Sequence, residues 1–267
     1  MRNIVSCSFG KDSLAQIVVM KELDIPIDDI IFCDIRFDRN ISGEHPMLAE
    51  WIPTAESILK TRYGLKVTHI SSEKTFTEHF YTVKEYGGHK GDIYGFPYTM
   101  GAWCNSRLKT NVIRKYLSNI PGNITQFVGL AYDEPERYMS FLKRNTGRIE
   151  NRSVLYEQKI TEIEAYGICR RCNLLSPHYS LGGFRGGCWF CVKQSYADLY
   201  NLWIWYPEMF YRLLEMEKDS FNEFSRNTSL SALEKRFRNG FVPRYRCKNS
   251  LKKEDFIYEK NFYGKRI

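Results

Sequence analysis

Short apolar runs alternate with stretches of helical periodicity through the first half of the chain. The runs over 4–8, 29–34, 65–70 and 124–130 have strand length, and apolar spacing predicts helices over 14–22, 44–63, 105–117, 161–169 and 195–218, with breaks at Pro53 and Pro207. Strands that alternate with helices predict βαβ units. We therefore expect an α/β fold with a doubly wound, mostly parallel sheet.

The strand pattern fades after about residue 160, which predicts three segments. Residues 1–160 form the α/β domain, 161–225 a cysteine-rich and helical segment, and 226–267 a basic, helical C-terminal tail. Residues 173–187 are rich in Gly, Ser and Pro and predict a loop.

The positive charge of the chain is confined to the predicted tail. Residues 226–267 hold 12 basic and 4 acidic side chains, whereas the other 225 residues hold 27 of each, so the net charge of +8 belongs to the tail. Aromatic and basic residues interleave at 235–238 and 244–248, a pattern that fits the phosphate backbone and bases of tRNA or DNA. The alternatives are a solvated tail and a protein-docking segment.

The apolar pattern also predicts the compartment. No run of 18 apolar residues occurs, and the short N-terminal apolar stretch is interrupted by Lys11 and Asp12, which predicts neither a membrane span nor a signal peptide. Eight cysteines without an export signal favour reduced thiols, some of them metal ligands, in a cytoplasmic protein.

The hexapeptide Ser-Phe-Gly-Lys-Asp-Ser at 8–13 lies between the first predicted strand and helix. The amides at a helix N-terminus suit a phosphate, Gly10 allows close approach, and the Lys11 ammonium adds charge. The Walker A spacing is absent because Val5 and Asp12 occupy its Gly and Ser/Thr positions. The alternative is a tight turn with a helix cap from Asp12 or Ser13.

This hexapeptide resembles the pyrophosphate-binding loop of the PP-loop (N-type) ATP pyrophosphatases, commonly Ser-Gly-Gly-x-Asp-Ser. Three further segments, Asp34 with 44–46, 103–109 and 129–137, resemble the phosphoadenosine phosphosulfate (PAPS) reductase-like branch of that superfamily. The resemblance spans roughly residues 1–205. It implies an adenine nucleotide alpha hydrolase-like fold that binds ATP with Mg²⁺.

Carried over position by position, the resemblance implies the site residues. The segments would gather at the carboxyl edge of a parallel sheet. The implied nucleotide-binding residues are Ser8, Phe9, Gly10, Lys11, Asp12, Ser13, Asp34, Gly129 and Asp133, and the implied catalytic residues are Lys11, Asp12, Lys109 and Arg137. Asp12 or Asp133 could hold Mg²⁺, and Lys109 and Arg137 could offset charge on the α-phosphate. For Lys109 and Arg137, a solvated helix face is the alternative.

Two Cys-x2-Cys pairs predict a metal site. Cys169 and Cys172 precede Cys188 and Cys191 by 15 residues, a spacing that fits one Cys₄ insert holding Zn²⁺ or a [4Fe–4S] cluster. The alternative is two pairs of redox-active or buried thiols. The resemblance adds a competing set, Cys104, Cys188 and Cys191 with one thiol of the first pair, and favours iron–sulfur.

The resemblance implies ATP-dependent adenylation with pyrophosphate release, in sulfur transfer from a donor protein to a nucleic acid or small acceptor. One alternative is a phosphoadenylyl- or adenylyl-sulfate reductase, for which Cys247 is the only late thiol. Phe9 and Ala131 depart from the family pattern and favour a third alternative, a non-catalytic regulatory protein that binds nucleotide and nucleic acid.

Overall fold

The computed structural model describes residues 1–87, 89–181, 186–225 and 228–243. Five strands, β1 to β5, cover Arg2–Cys7, Asp29–Asp34, Val67–Ser71, Ile124–Val128 and Ile149–Arg152. Eleven helices in these ranges, α1 to α11, cover Lys11–Glu22, Pro46–Tyr63, Phe76–Phe80, Trp103–Asn105, Asn111–Ser118, Pro135–Leu142, Val154–Glu157, Glu162–Arg171, Tyr196–Trp205, Pro207–Asp219 and Leu230–Arg238. A π-helical turn, Ser106–Thr110, joins α4 to α5, and a 3₁₀ helix spans Pro177–Leu181.

The five strands form one parallel sheet in the order β3-β2-β1-β4-β5. The predicted α/β class and the parallel sheet are therefore confirmed. β1 is central, and the chain first extends the sheet towards β3 and then returns to add β4 on the other side of β1. The fifth strand was not predicted from the sequence, because Ile149–Arg152 reads Ile-Glu-Asn-Arg and has no apolar run.

Helices cover both faces of the sheet. On one face, Val5, Phe32 and Phe127 pack with residues of α1, α2, α7 and α8 in the first core. On the other face, Ile4 and Ile31 of the alternate strand positions pack with Leu117 of α5. This is the arrangement expected of a doubly wound sheet, because successive side chains of a strand point to opposite faces.

A second, aromatic core lies beside the sheet. Its buried members include Phe37 from the loop after β2, Phe76 and Phe80 of α3, and Trp189 and Phe190 between Cys188 and Cys191. Helices α9, α10 and α11 complete it; α11 contributes Leu230, Leu233 and Phe237. The predicted tail thus begins with a helix that packs against this core, and residues 244–267 lie outside the described residues.

Several helix boundaries differ in detail from the sequence prediction. α2 runs without interruption through Pro53, whereas the break between α9 and α10 falls at the predicted Pro207. The helix predicted over 105–117 contains the π turn, which carries Lys109. Within the described ranges, no helix combines the length and apolar character needed to cross a membrane.

Candidate functional site

The turn after β1 lies at the switch point of the sheet, where β1 has β2 on one side and β4 on the other. Gly10 caps α1, which begins at Lys11. Gly129, directly after β4, packs so closely against the first turn of α1 that an added Cβ would lie 2.5 Å from the carbonyl atoms of Asp12. Glycine is therefore required at 129 for this packing. In doubly wound sheets, the crevice at such a switch point is where ligands bind.

Phe9 adopts a left-handed backbone conformation, with φ of 54°. This conformation is unfavourable for a bulky residue. The ring is completely buried in the first core and meets Phe32 edge-on, with centroids 5.0 Å apart. Glycine adopts this backbone conformation without strain, and packing of the buried Phe9 ring offsets the strain here.

Lys11, the first residue of α1, is buried with only 3% of its side chain exposed. Its ammonium lies 2.8 Å from a carboxylate oxygen of Asp12 and 3.3 Å from one of Glu162, at the start of α8. Burial alone would lower the pKa of Lys11, but the carboxylates outweigh burial and raise that pKa above its ordinary value. A buried, charged ammonium therefore lies at the positive end of α1.

The backbone of Lys11 is also held by the cysteine-rich segment. Its N–H donates to the hydroxyl of Tyr179 at 2.9 Å, and its carbonyl accepts from the thiol of Cys169 at 3.0 Å. Glu162, Cys169 and Tyr179 thus contact the ammonium, the carbonyl and the amide of one residue. We call these three side chains the Lys11 clasp.

Hydroxyl groups order the remaining part of the turn. Ser13 donates to the carbonyl of Gly10 at 2.9 Å and accepts from the N–H of Ser8 at 3.1 Å. The N–H of Phe9 contacts the sulfur of Cys7 at 3.4 Å. Ser8 and Ser13 are therefore adjacent, with 3.4 Å between their hydroxyl oxygens, as two hydroxyls directed at one ligand would be.

The other residues predicted for the site lie around its rim. Asp34 ends β2 and pairs with Arg36 at 3.4 Å. Asp133 accepts the N–H of Glu162 at 3.0 Å, so it supports the start of α8. Arg137 is 64% exposed and pairs with Glu134 on α6 and its cap. The negative charge of Glu134 also acts on Asp12 of the turn after β1, so Arg137 is paired with a carboxylate that faces this turn.

Lys109 connects the turn after β1 to the second pair of cysteines. Burial raises the pKa of Glu44 to about 7, and the positive charge of Lys109 opposes that rise. Burial likewise raises the pKa of Cys188, again opposed by Lys109. Lys109 interacts in the same way with Cys7 in β1. Its charge thus acts on groups from both sides of the crevice.

The four cysteines predicted as one metal site are not brought together as one ligand set. The thiol of Cys169 is engaged by the carbonyl of Lys11, in the first core. Cys188 and Cys191 instead interact electrostatically with each other and with Cys104, beside the aromatic core. Among the residues that the structure describes, no three His, Cys, Asp or Glu side chains converge closely enough to hold a metal ion. The thiols of Cys104, Cys188 and Cys191 would have to reorient to hold Zn²⁺ or a cluster together.

Two contributors to the turn were missed in the sequence. Tyr179 and Glu162 reach Lys11 from positions far along the chain; Tyr179 is 168 residues away. Neither has a neighbouring motif, so only the docking of α8 and the 3₁₀ helix against α1 reveals them. In the sequence, the acidic residues Glu162 and Glu164 are typical of the first turn of any helix, so they do not point to Lys11.

Comparisons with known proteins give distant relatives. No protein-family model matches the sequence. The chain is 34% identical over 104 residues to the uncharacterized nin region protein ORF290 of Escherichia phage lambda. That alignment covers 38% of this chain and only 32% of the phage protein, about a third of the relative's length.

Among solved structures, the chain is similar to the U34-tRNA thiolase NcsA from Methanococcus maripaludis with its [4Fe–4S] cluster. The match has a TM-score of 0.39 and 15% identity, and covers 92% of this chain and 84% of the thiolase. A likeness this distant supports no argument about the function of this chain. The case for a function therefore depends on the geometry of the turn.

Proposed function

We propose that the protein binds the phosphates of an adenine nucleotide at the turn between β1 and α1, and uses ATP to adenylate an acceptor with release of pyrophosphate. The observation that carries this proposal is the position of Lys11. A cation at the N-terminus of a helix opposes the helix dipole, and burial adds a desolvation cost. Lys11 has both disadvantages, with only 3% of its side chain exposed, and only the carboxylates of Asp12 and Glu162 offset them among its described partners.

A polyanion removes both disadvantages at once. Phosphate oxygens can accept from the Lys11 ammonium and from the α1 amides, and negative charge is favoured at this end of the helix. The location at the switch point and the close approach of Gly129 to Asp12 support the same interpretation. A strongly perturbed titratable group in a crevice of this kind indicates a functional site.

In this proposal, each side chain near the turn has its own role in binding the phosphates or Mg²⁺. Ser8 would donate its hydroxyl to the terminal phosphates, Ser13 would hold the turn through its bond to the Gly10 carbonyl, and Lys11 would hold the charge of the phosphates. Lys109, on the opposite wall, would stabilise negative charge that develops at the α-phosphate. Asp12 and Glu162 would be freed from Lys11 when phosphate binds, and each could then contribute carboxylate oxygens to Mg²⁺. Arg137, paired with Glu134 and exposed, receives no role in this proposal.

A metal centre and the acceptor belong to the same proposal as expectations. Cys104, Cys188 and Cys191 are a donor set of soft ligands suited to Zn²⁺ or a [4Fe–4S] cluster, with Cys169 and Cys172 left out. Such a centre would supply sulfur chemistry or a structural link, and no step of the adenylation is assigned to it. The acceptor is a small molecule or a nucleic acid, and the nucleic acid is tRNA or DNA.

The deciding experiment measures ATP binding and pyrophosphate release for wild type and K11Q, with K115Q as the matched control. Lys115 is exposed on α5 and pairs only with Glu73 among its described neighbours. We expect K11Q to weaken ATP binding at least about tenfold, the cost of one charge-assisted contact, and K115Q to have no effect. Circular dichroism checks that K11Q is folded.

Each further outcome bears on one part of the proposal. Equal ATP binding by wild type and folded K11Q would refute the phosphate site. Binding without pyrophosphate release, in the presence of tRNA, DNA or neither, would favour the non-catalytic regulatory alternative. Sulfite formation from adenylyl sulfate and a thiol reductant would favour the sulfonucleotide reductase instead.

A further inference from the structure

The amide that should receive a phosphate already has a partner within the chain. The N–H of Lys11 donates to the hydroxyl of Tyr179 at 2.9 Å. That hydroxyl also lies 3.5 Å from where a Cβ on Gly10 would be, so it occupies the space over the glycine that an anion needs. The Tyr179 oxygen therefore has the position and the hydrogen-bonding role of a phosphate oxygen.

Tyr179 is held there by its own surroundings. Its side chain is buried, with 3% of the residue exposed, and its ring packs edge-on against Tyr166 of α8 at 6.3 Å between centroids. The residue belongs to the short 3₁₀ helix Pro177–Leu181, in which its N–H donates to the carbonyl of Ser176. Among the described residues, Pro177–Leu181 pairs with no strand, so the hydroxyl can withdraw without disturbing the sheet.

The whole Lys11 clasp comes from the same stretch of chain. Glu162 and Cys169 are on α8, and Tyr179 follows it, so the ammonium, the carbonyl and the amide of Lys11 are all held by residues 162–179. A phosphate that binds α1 must compete with Glu162 for the ammonium and with Tyr179 for the amide. The cysteine-rich segment thus controls access to the turn.

We propose that Tyr179 is a built-in occupant of the phosphate position, and that a nucleotide binds by displacing its hydroxyl from the Lys11 amide. The inference rests on the proposed function and adds an autoinhibitory contact to it. In the free protein the amide is satisfied, which avoids the cost of a buried, unpaired N–H. The same contact reduces the apparent affinity for the nucleotide, because part of the binding free energy is used to break it.

The test is Y179F, which removes only the hydroxyl and keeps the ring. Y200F is the matched control, since Tyr200 packs against Trp203 and Phe237 in the aromatic core. Calorimetric titration with inorganic pyrophosphate and with ATP should give affinities about three- to tenfold higher for Y179F than for wild type, the range expected for one hydrogen bond. Y200F should bind as wild type does.

A second measurement separates displacement from a general loosening of the free protein. Tyrosine is replaced by 3-fluorotyrosine, and the ¹⁹F resonance of Tyr179 is assigned by its absence in Y179F. Pyrophosphate should shift this resonance and leave that of Tyr200 unchanged. An unshifted Tyr179 resonance in protein that has bound pyrophosphate would overturn the inference even if the affinity of Y179F were higher.

The remaining outcomes distinguish this inference from the function on which it rests. If wild type binds ATP and Y179F binds equally or more weakly, the displacement is refuted and the proposed function stands. If Y179F binds and wild type does not, both are supported, since the hydroxyl then blocks the position. If neither protein binds ATP or pyrophosphate, both the proposed function and this inference are refuted.

Discussion

The two Cys-x2-Cys pairs have identical spacing but lie in different surroundings. Cys169 and Cys172 are at the end of α8, in the first core, where the Cys169 thiol donates to the carbonyl of Lys11. Cys188 and Cys191 lie beside the aromatic core and interact with Cys104. The comparison shows that spacing identifies which thiols are near each other, whereas the partners opposite them decide what they can do.

Burial raises the pKa of the thiols in both surroundings, but the charged groups beside Cys169 differ from those beside Cys104. Burial raises the pKa of Cys169 far above its ordinary value, and the negative charge of Asp12 raises it further. Burial also raises the pKa of Cys104, to about 11, but Lys193 opposes the rise. A thiolate, which is the form that binds metal, is therefore disfavoured by burial at both positions and favoured there by one cation, Lys11 at Cys169 and Lys193 at Cys104, but only Cys169 also faces the carboxylate of Asp12.

The largest expected effect is on metal content. In protein purified without oxygen, we expect C188A and C191A to lose all bound iron or zinc, and C169A and C172A to retain it. The reason is that Cys188 and Cys191 share Cys104 as a third thiol, whereas the thiol of Cys169 is engaged by Lys11. Elemental analysis measures both metals, and the visible absorption spectrum detects an iron–sulfur cluster.

Two outcomes would contradict this division. Loss of metal in all four variants would restore the four-cysteine set that the sequence spacing predicts. A wild-type protein free of iron and zinc would remove the metal centre from the proposal and leave the second pair as ordinary thiols.

The next effect concerns the packing of the nucleotide side. G129A should destabilise the protein by about 3 kcal/mol and abolish ATP binding, because the new methyl group would lie 2.5 Å from backbone atoms of Asp12 that cannot move without shifting α1. G147A is the matched control, since nothing lies within 4 Å of a Cβ at that position. Urea unfolding measures stability, and a fully stable G129A would refute the close approach of β4 to α1.

The sequence predicted the parts of the fold that have a local signal. Four of the five strands match predicted runs; β2 and β4 are largely buried, as inner strands of a parallel sheet are, whereas the edge strand β3 is only partly buried. β5 has no such run, because Asn151 is buried through hydrogen bonds to Asn145 and Phe141 rather than as an apolar side chain. Its place in the sheet depends on pairing with β4, which the sequence does not encode locally.

The candidate site was likewise predicted only where it has a local pattern in the sequence. The hexapeptide at 8–13 has a local pattern, and its position between a strand and a helix is confirmed. The contact of Tyr179 with Lys11 joins residues 168 positions apart and follows from how α8 packs on α1. The pairing of Arg137 in α6 with Glu134 at its N-cap is a local contact, whereas the interaction of Glu134 with Asp12 depends on the packing of the fold.

A smaller effect compares a buried phenylalanine from each core. Phe9 and Phe37 are both completely buried, but only Phe9 of the two has a positive φ. Replacement by glycine removes the ring in both cases and relieves backbone strain only at position 9. We expect F9G to be less destabilising than F37G by about 1–2 kcal/mol, the cost of a left-handed residue.

Urea unfolding of the two variants in one buffer measures this difference. Equal losses would mean that the backbone at Phe9 is not strained, and a larger loss for F9G would mean that the ring of Phe9 contributes more packing than that of Phe37. Either result would contradict a strained Phe9 backbone that packing in the first core holds in the left-handed conformation.

The smallest effect is at the contact between the sheet and the aromatic core. One carboxylate oxygen of Asp38, in the loop after β2, accepts the N–H groups of Asn40 and Ile41 at 2.8 Å, and the other lies 2.5 Å from Arg212 of α10. Burial acts to raise the pKa of Asp38, but the two N–H groups and Arg212 outweigh it and lower that pKa. Asp38 therefore stabilises the folded state in its charged form.

Because the folded-state pKa is lowered, the stabilisation is complete above the unfolded pKa of about 4 and is lost as the pH falls through the folded value. At pH 7, D38N should lower the free energy of unfolding by about 1 kcal/mol, and the difference from wild type should shrink steadily below about pH 4. D92N is the control, since Asp92 is half exposed and faces only His89 in its ion pair. Urea unfolding of both variants and wild type from pH 7 to pH 3 measures the difference. If the free energy of unfolding of D38N is lower than that of wild type by the same amount at every pH, the charge of Asp38 does not stabilise the contact between the loop and α10.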